Sequence, residues 1–368
     1  MKMGFLLLML LPLLGNVYVL WHVWRIVPFA PWGKWLVVVL MFLAFLLLFV
    51  SMREHLRMPM AVATVVYEIS TSWLIILLYL AMVFLLLDVG RLVHLVPSSL
   101  LKDSWTGVLS VGGVLLSVFI YGNIHYHHKY RQPIELTTTK AMERPLKVIM
   151  ASDLHIGYHN RRAELARWVD MMNQEKADLI LIAGDIIDNS TRPLDEERAH
   201  EEFRRLNAPV VACLGNHEYY AGEPNSMQFY KKAGITLLRD SVITIGDVCV
   251  IGRDDRTNPH RKSVAELMRH ADKEKYVIVL DHQPYHLDRV EKAGADFQLS
   301  GHTHHGQVWP ISWITDAVYE CAFGEWKRGN TRYYVSSGLG IWGGKFRIGT
   351  RSEYVVATIK GDSAVGQK

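Results

Sequence analysis

Ten side chains between positions 153 and 305 of the 368-residue chain have the types and spacing of a metal centre. Asp153 and His155 stand two apart in "SDLH", Asp185 and Asp188 three apart in "GDIID", and Asn216 and His217 side by side in "GNHE". His282 comes singly, and "GHTHHGQVWP" sets His302, His304 and His305 within four residues. Carboxylates, imidazoles and one amide, with no thiolate, are donors that suit Mn²⁺, Fe or Zn²⁺. Seven of them (Asp153, His155, Asp185, Asn216, His282, His302 and His304) are too many for one ion and suit two. Two ions about 3.5–4 Å apart share a carboxylate, bind a bridging hydroxide and clamp a phosphate. A nearby histidine that is not a ligand can then protonate the leaving oxygen. Cys213, Cys249 and Cys321 lie far apart and form no CxxC pair, which argues against a zinc knuckle and a disulfide framework.

These residues need elements to hold them at one place. From Leu146 onward, apolar runs alternate with helical patterns, the signature of an α/β fold. "LKVIMASD" reads as a buried strand ending at Asp153, "ADLILIAGD" at Asp185, "PVVACLGNH" at His217, "YVIVLDH" at His282 and "FQLSGHTH" at His304. "RYYVSSG" and "EYVVATI" read as late strands closing the sheet, and Arg162 to Lys176 as a helix with Leu165, Trp168, Val169 and Met172 on one face. Each of five strands delivers polar groups at its C-terminal end, the edge where open α/β sheets bind ligands. An extended backbone through Asp153 and His155 would point both side chains to one face.

The set Asp153-x-His155, Gly184-Asp185-x-x-Asp188, Gly215-Asn216-His217-Glu218, His282 and Gly301-His302-x-His304 resembles the calcineurin-like metallophosphoesterases, over about Leu146 to Ile359. "GHTHHGQ" and the late "SSGLGIWGGKFRIG" are similar to the membrane-attached bacterial branch. The resemblance implies a four-layer α/β/β/α sandwich with a dimetal site at the sheet edge. It implies that Asp153, His155, Asp185 and His304 hold one ion, that Asp185, Asn216, His282 and His302 hold the other, and that Asp185 bridges them. It also makes His217 the general acid and Asp188 the residue that orients it. Many members of this branch have glycine where this chain has His305, which leaves substrate contact or plain solvation open for that side chain.

The first half of the chain is of another kind. The overall composition, 50% hydrophobic and 21% charged, averages an apolar stretch up to about Tyr121 with an ordinary globular one from about Lys140. Four segments approach the ~20 apolar residues that a bilayer core requires: about Gly4–Leu20, Trp35–Met52, Trp73–Leu87 and Val108–Tyr121. Three further apolar segments follow the first, which favours a retained anchor over a cleaved signal peptide. Trp21, Trp24, Trp32 and Trp35 fit an interfacial belt. The expected organisation is a transmembrane helical domain at 1–124, a juxtamembrane linker at 125–145, the catalytic domain at 146–360 and a tail at 361–368.

With Lys2, Arg53, Arg57, Lys129 and Arg131 on the inner side, a four-helix topology puts the catalytic domain in the cytoplasm. Asp88, Arg91 and His94 read as snorkelling residues near a helix end. "HYHHKYR" at His125–Arg131 reads as a basic collar at the headgroups. A net charge of +4 without a basic block gives no nucleic-acid footprint.

After the last histidines come Val308, Trp309, Ile311, Trp313, Ile314, Val318, Tyr319, Phe323 and Trp326, with Ile341 and Trp342 further on. Large apolar groups are costly to expose at an active-site mouth. Either they meet the bilayer or an acyl chain, with Trp309, Trp313 and His305 touching substrate, or they pack inside the domain. Arg253 to Arg256, with His260, Arg261 and Lys262, form a polar cluster open to a phosphate or to internal ion pairs. The expected function is a membrane-anchored dimetal phosphoesterase that cleaves a lipid-linked or membrane-proximal phosphoester or pyrophosphate by attack of a metal-bridging hydroxide. Manganese is the favoured metal, the bilayer the expected partner, and no ligand of the site is missing. The alternatives are a phosphodiesterase for soluble nucleotides and a non-catalytic scaffold or metal sensor.

Overall fold

The computed structural model of the chain describes residues 2–51 and 58–362, with the side chains of residues 2–10 left out. Arg53, Arg57, Met52 and most of the expected tail lie outside the described residues, as does the Lys2 side chain. Two compact units are present: Met1–Asn123 with Gly343–Lys345, and Ile124–Trp342 with Phe346–Lys368.

The first unit is helical: α1 (Lys2–Ile26), α2 (Pro31–Ser51), α3 (Met60–Leu92) and α4 (Trp105–His127), the last continuing into the second unit. Among the described residues α2, α3 and α4 are long and apolar enough to cross a membrane, and the first expected segment coincides with α1. Leucine, valine and phenylalanine side chains along these helices are exposed, which suits hydrocarbon and not water. The third segment begins at Met60 and not at Trp73. Its early turns carry Ser70 and Thr71, whose hydroxyls donate to the Tyr67 carbonyl at 3.1 and 2.7 Å and so remain compatible with an apolar helix. Asp88, expected among snorkelling groups, is instead bound from α1: Tyr18 Oη donates to it at 2.8 Å and His22 Nε2 lies 2.9 Å away. An acid inside an apolar helix needs such partners.

The second unit contains β1 (Lys129–Thr138), β2 (Leu146–Ala151), α5 (Arg162–Gln174), β3 (Leu179–Ala183), α6 (Arg192–Glu196), α7 (His200–Phe203), β4 (Val210–Cys213), α8 (Asn216–Tyr220), α9 (Glu223–Ala233), β5 (Thr236–Leu237) and β6 (Ser241–Ile245). It continues with β7 (Val248–Gly252), α10 (Val264–Leu267), β8 (Tyr276–Leu280), α11 (Leu287–Ala293), β9 (Phe297–Ser300), α12 (Ile311–Val318), β10 (Gly324–Arg328), β11 (Thr331–Val335) and β12 (Ser352–Gly361). One sheet has the order β1-β12-β2-β3-β4-β5 and the other β10-β11-β9-β8-β7-β6. Strands β2 to β5 run parallel, as do β7, β8, β9 and β11.

Period-two alternation sorts the buried side chains into layers. Val148 and Met150 of β2 meet Val250, Ile278 and Leu299 between the sheets. Ile149 and Ala151 face Leu165, Trp168 and Met172 of α5. On the far side Val277 and Val279 of β8 face Leu267, Leu287 and Val290. The unit is thus the α/β/β/α sandwich that the sequence suggests, with both sheets buried on both faces.

The stretch 125–145, read as a linker with a basic collar, carries a strand. β1 pairs parallel with β12 from Lys129↔Ser352 to Thr138↔Gly361 and buries Ile134 and Leu136 between the sheets. The charges of the supposed collar are engaged here: Lys129 Nζ donates to the Tyr126 carbonyl at 2.8 Å, and Arg131 Nε to Glu175 at 2.7 Å.

Candidate metal centre

Every strand that delivers a site residue stops short of it. β2 ends at Ala151, β3 at Ala183, β4 at Cys213, β8 at Leu280 and β9 at Ser300, so the polar side chains belong to the segments beyond, Asn216 and His217 to the first turn of α8. Asp153 and His155 are therefore not on an extended backbone. Asp153, His155, Asp185, His302 and His304 all have left-handed φ, between 46° and 71°. Such values cost non-glycine residues of order 1–3 kcal/mol each and persist only where the surroundings enforce them. The loops interlock: His155 N–H donates to the Asp185 carbonyl at 3.0 Å, and Asp153 N–H to the Gly184 carbonyl at 3.1 Å. Close approach requires glycine at two points, because a Cβ on Gly301 would lie 2.1 Å from Asp153 Oδ2 and one on Gly215 2.1 Å from Asp185 Oδ1.

The loops bring together six of the expected ligands, Asp153, His155, Asp185, His282, His302 and His304. Asp153, His155 and His304 present ligand atoms within 4.8 Å of one another, and so do Asp185, His282 and His302. His155, Asp185 and His217 form a third such group, which brings the expected acid close to two ligand candidates. The Nε2 atoms of His155 and His304 face each other at 3.0 Å, with Asp153 Oδ1 3.4 Å from the latter. His282 Nε2 lies 3.0 Å from Asp185 Oδ2, while its Nδ1 is held by the Ala183 carbonyl at 2.7 Å, which fixes the ring orientation. Asn216 Oδ1 is buried and accepts no hydrogen bond among the described residues. Asp153 and Asp185 are buried with imidazoles as their ion-pair partners and, among the described residues, no lysine or arginine. Buried acids whose ion-pair partners are neutral-capable imidazoles, beside an amide oxygen left without a donor among the described residues, fit divalent cations.

The electrostatics agree. Burial raises the Asp185 carboxyl, but the charges of His282 and His217 outweigh it and hold it well below the usual range. Burial likewise opposes charge on His155, yet bonds to Asp153 and Asp188 push the imidazole up to about 10. His302 goes the other way, down to about 4, through burial and repulsion from His282.

Asp188 Oδ1 lies 3.2 Å from His155 Nδ1 and 3.5 Å from His217 Nδ1, so one carboxylate braces a ligand as well as the expected acid. Two buried charges were not singled out from the sequence. Glu218 accepts from the backbone N–H of Asp185, Ile187 and Gly215 at 3.1, 3.0 and 2.7 Å, tying the β3 loop to the β4 loop. The G-x-x-E spacing of a capping box was its signal. Arg347 is wholly buried and donates to the carbonyls of His304, Ser337 and Gly340 at 2.8, 2.5 and 3.0 Å.

His305 turns from the cluster. Its Nε2 pairs with Asp316 Oδ1 at 3.2 Å, and its ring stacks on Phe323 at 4.8 Å. Trp309 and Trp313 contact edge to face at 5.3 Å and remain exposed, with Ile314 and Val318. Ile341, expected at the same surface, is buried, and its carbonyl faces His159 Nε2 at 2.8 Å.

Residues 146–306 match the calcineurin-like phosphoesterase family. An uncharacterized metallophosphoesterase of Aquifex aeolicus is 32% identical over 59% of this chain and 85% of its own. A transmembrane protein with metallophosphoesterase domain from Danio rerio is 27% identical over 58% of this chain and 53% of its own. Among solved structures, a 5'-nucleotidase precursor from Thermus thermophilus aligns with TM-score 0.36 and 17% identity, over 58% of this chain and 55% of that one. The chain spans about half the length of that nucleotidase. The sandwich and its donor set are those of a metal-dependent phosphoester hydrolase. The chain belongs to the calcineurin-like metallophosphoesterases, and its apolar helices and transmembrane relatives make it a membrane protein.

Proposed function

We propose that the chain is a membrane-anchored dimetal phosphoesterase acting on a lipid-linked or membrane-proximal phosphoester or pyrophosphate, with its catalytic domain in the cytoplasm. Asp153, His155, Asp185 and His304 would hold one divalent cation, Asp185, Asn216, His282 and His302 the other, and manganese is the favoured metal. When bound, the pair supplies a water ionised at neutral pH and cancels phosphate charge. His217 holds the proton destined for the leaving oxygen. Asp188, 3.5 Å from its Nδ1, would orient the ring for that transfer.

The observation that supports a lipid substrate is the wall that follows the last histidines. In α12, Trp313, Ile314 and Val318 are 65%, 63% and 57% exposed, and His305 pins this helix through Asp316. An amphipathic helix with its apolar side bare, in a chain that enters a bilayer, suits an acyl chain or the lipid surface.

The test is turnover of bis-p-nitrophenyl phosphate and p-nitrophenyl phosphate by the detergent-purified chain, stripped of metal and then restored with Mn²⁺, beside Asp185→Asn. Metal-restored activity absent from Asp185→Asn supports the reading. Tight metal binding without turnover on a broad ester panel would favour a metal sensor. For the lipid step, Trp309→Ala with Trp313→Ala should lower turnover of a lipid phosphoester relative to the chromogenic ester, and equal loss on both would sink it.

A further inference from the structure

A cavity of roughly 550 Å³ lies between the loop after β7 and helices α10 and α11. Its polar lining is dominated by Arg253, Arg256, Arg261, His286, Arg289 and Lys292. The volume is within the ~300–1,000 Å³ range of small-molecule sites. The sole carboxylate of the lining, Glu266, is occupied by Ser263, whose N–H and Oγ donate to it at 2.8 and 2.6 Å.

Two of the arginines are built in. Arg253 Nη1 donates to Asp281 Oδ2 at 2.5 Å and Arg261 Nη1 to Oδ1 at 2.9 Å, and the two side chains are only 12% and 11% exposed. One buried carboxylate thus serves two guanidiniums. Lys292 pairs with Asp288 at 2.9 Å, whereas Arg256 and Arg289 have no ion-pair partner among the described residues. A solvated charged surface mixes signs, but here cations converge on one concavity with too few anions to match them, and such repulsion is relieved by a bound anion.

A relay of side chains runs from the cavity lining toward the metal centre. Asp281 immediately precedes the ligand candidate His282. The Arg256 guanidinium sits 3.9 Å over the Tyr285 ring, Tyr285 Oη donates to Tyr319 Oη at 3.2 Å, and Tyr319 flanks His302. Arginine is suited to phosphate because its fork donates two parallel bonds.

We infer that this cavity is a second anion subsite that receives a further phosphoryl group of the substrate, so that the enzyme prefers a diphosphate over the corresponding monophosphate. The inference rests on the phosphoesterase reading for its link to turnover, but the subsite itself is a matter of binding. A diphosphate can come from a lipid pyrophosphate or from a nucleotide.

The experiment uses the full chain in detergent, as wild type and as Arg256→Ala/Arg289→Ala, each also carrying Asp185→Asn. Tryptophan fluorescence titrations compare diacylglycerol pyrophosphate with phosphatidate in mixed micelles, and ADP with AMP. In the Asp185→Asn chain the diphosphate should bind at least tenfold tighter than its monophosphate in one pair, and the arginine substitutions should cut that preference to about twofold or less. The pair that shows the preference identifies the source of the diphosphate. In the active chain the ratio of kcat/KM for that pair should fall by the same factor. A preference that is absent, or that survives the substitutions, overturns the subsite. A preference that depends on the arginines in a chain without turnover of any ester would retain the subsite and reject the phosphoesterase reading.

Discussion

Replacing Arg347 with methionine would remove a cation that makes no direct ion pair among the described residues and that holds two loops by their carbonyls. Three bonds are short, to His304, Ser337 and Gly340, and a fourth runs from Nε to Ser352 Oγ at 3.2 Å. A hydrogen bond to a charged group is worth about 1.5–3 kcal/mol net, so three contribute roughly 4.5–9 kcal/mol. Burying the guanidinium takes part of this back. Burial, against weaker opposing attraction from Asp153, Tyr126 and Glu353, leaves its pKa pulled down to about 10. A net loss of about 3–5 kcal/mol is expected, in the range for breaking a buried ionic contact. For a domain of this size each kcal/mol moves the midpoint by about 2–4 °C, so thermal unfolding in detergent should drop by on the order of 10 °C. Because the His304 carbonyl is one of the anchors, Mn²⁺ affinity should fall as well, by tenfold or more. Arg347→Lys, able to reach one or two of the carbonyls, should be intermediate. A methionine variant that melts within 2 °C of its parent and binds metal equally would refute the claim that Arg347 holds the ligand loop.

Other perturbations follow from the same geometry. Gly301→Ala places a Cβ 2.1 Å from Asp153 Oδ2 and should abolish metal loading, read by elemental analysis, while secondary structure by circular dichroism persists. Removing the metal should lower the unfolding midpoint, since a ligand at about 100 times its Kd adds about 2.7 kcal/mol; an unchanged midpoint after chelation would argue against cations between Asp153 and Asp185. Glu175 is held down to about 2 chiefly by its hydrogen bond from Arg131, with Lys147 and Tyr354 adding to it. Its folded pKa is depressed, so its contribution is complete above the ordinary glutamate value of 4.5 and fades as pH falls toward about 2. Urea titrations at pH 7 and pH 3 should therefore show a smaller acid-induced loss for Glu175→Gln than for the parent. Glu218→Ala, which strands three buried N–H groups, should cost about 3 kcal/mol or more by the same denaturation assay.

The site was legible because each ligand follows an apolar run, and parallel strands in one sheet must present their C-terminal ends at one edge. That argument groups Asp153 with Asp185 at the edge of one sheet and His282 with His302 at the edge of the other, without reference to loop shape. It cannot say how the chain turns beyond the strand, and there the reading of Asp153 and His155 as extended failed. Left-handed φ at aspartate and histidine is imposed by contacts between loops far apart in sequence, such as His155 with Asp185. Arg347 was hidden for a similar reason. An arginine in a glycine-rich stretch looks solvated until the carbonyls around it are known. Strand β1 was obscured by Pro133, which weakens a strand pattern yet is tolerated at a sheet edge, where β1 lies. In the helical unit, hydroxyls that bond back to their own helix made the first turns of α3 look too polar to count.

The edge position of β1 bears on how the hydrolase half might be produced by itself. The family match begins at residue 146, a natural place to cut. A recombinant fragment starting there would strip the partner from all ten residues of β12 and uncover the side of the core filled by Ile134 and Leu136. Unpaired, apolar edge strands recruit copies of themselves. Such a fragment should precipitate or oligomerise, whereas one that begins at or before Lys129 keeps its border closed.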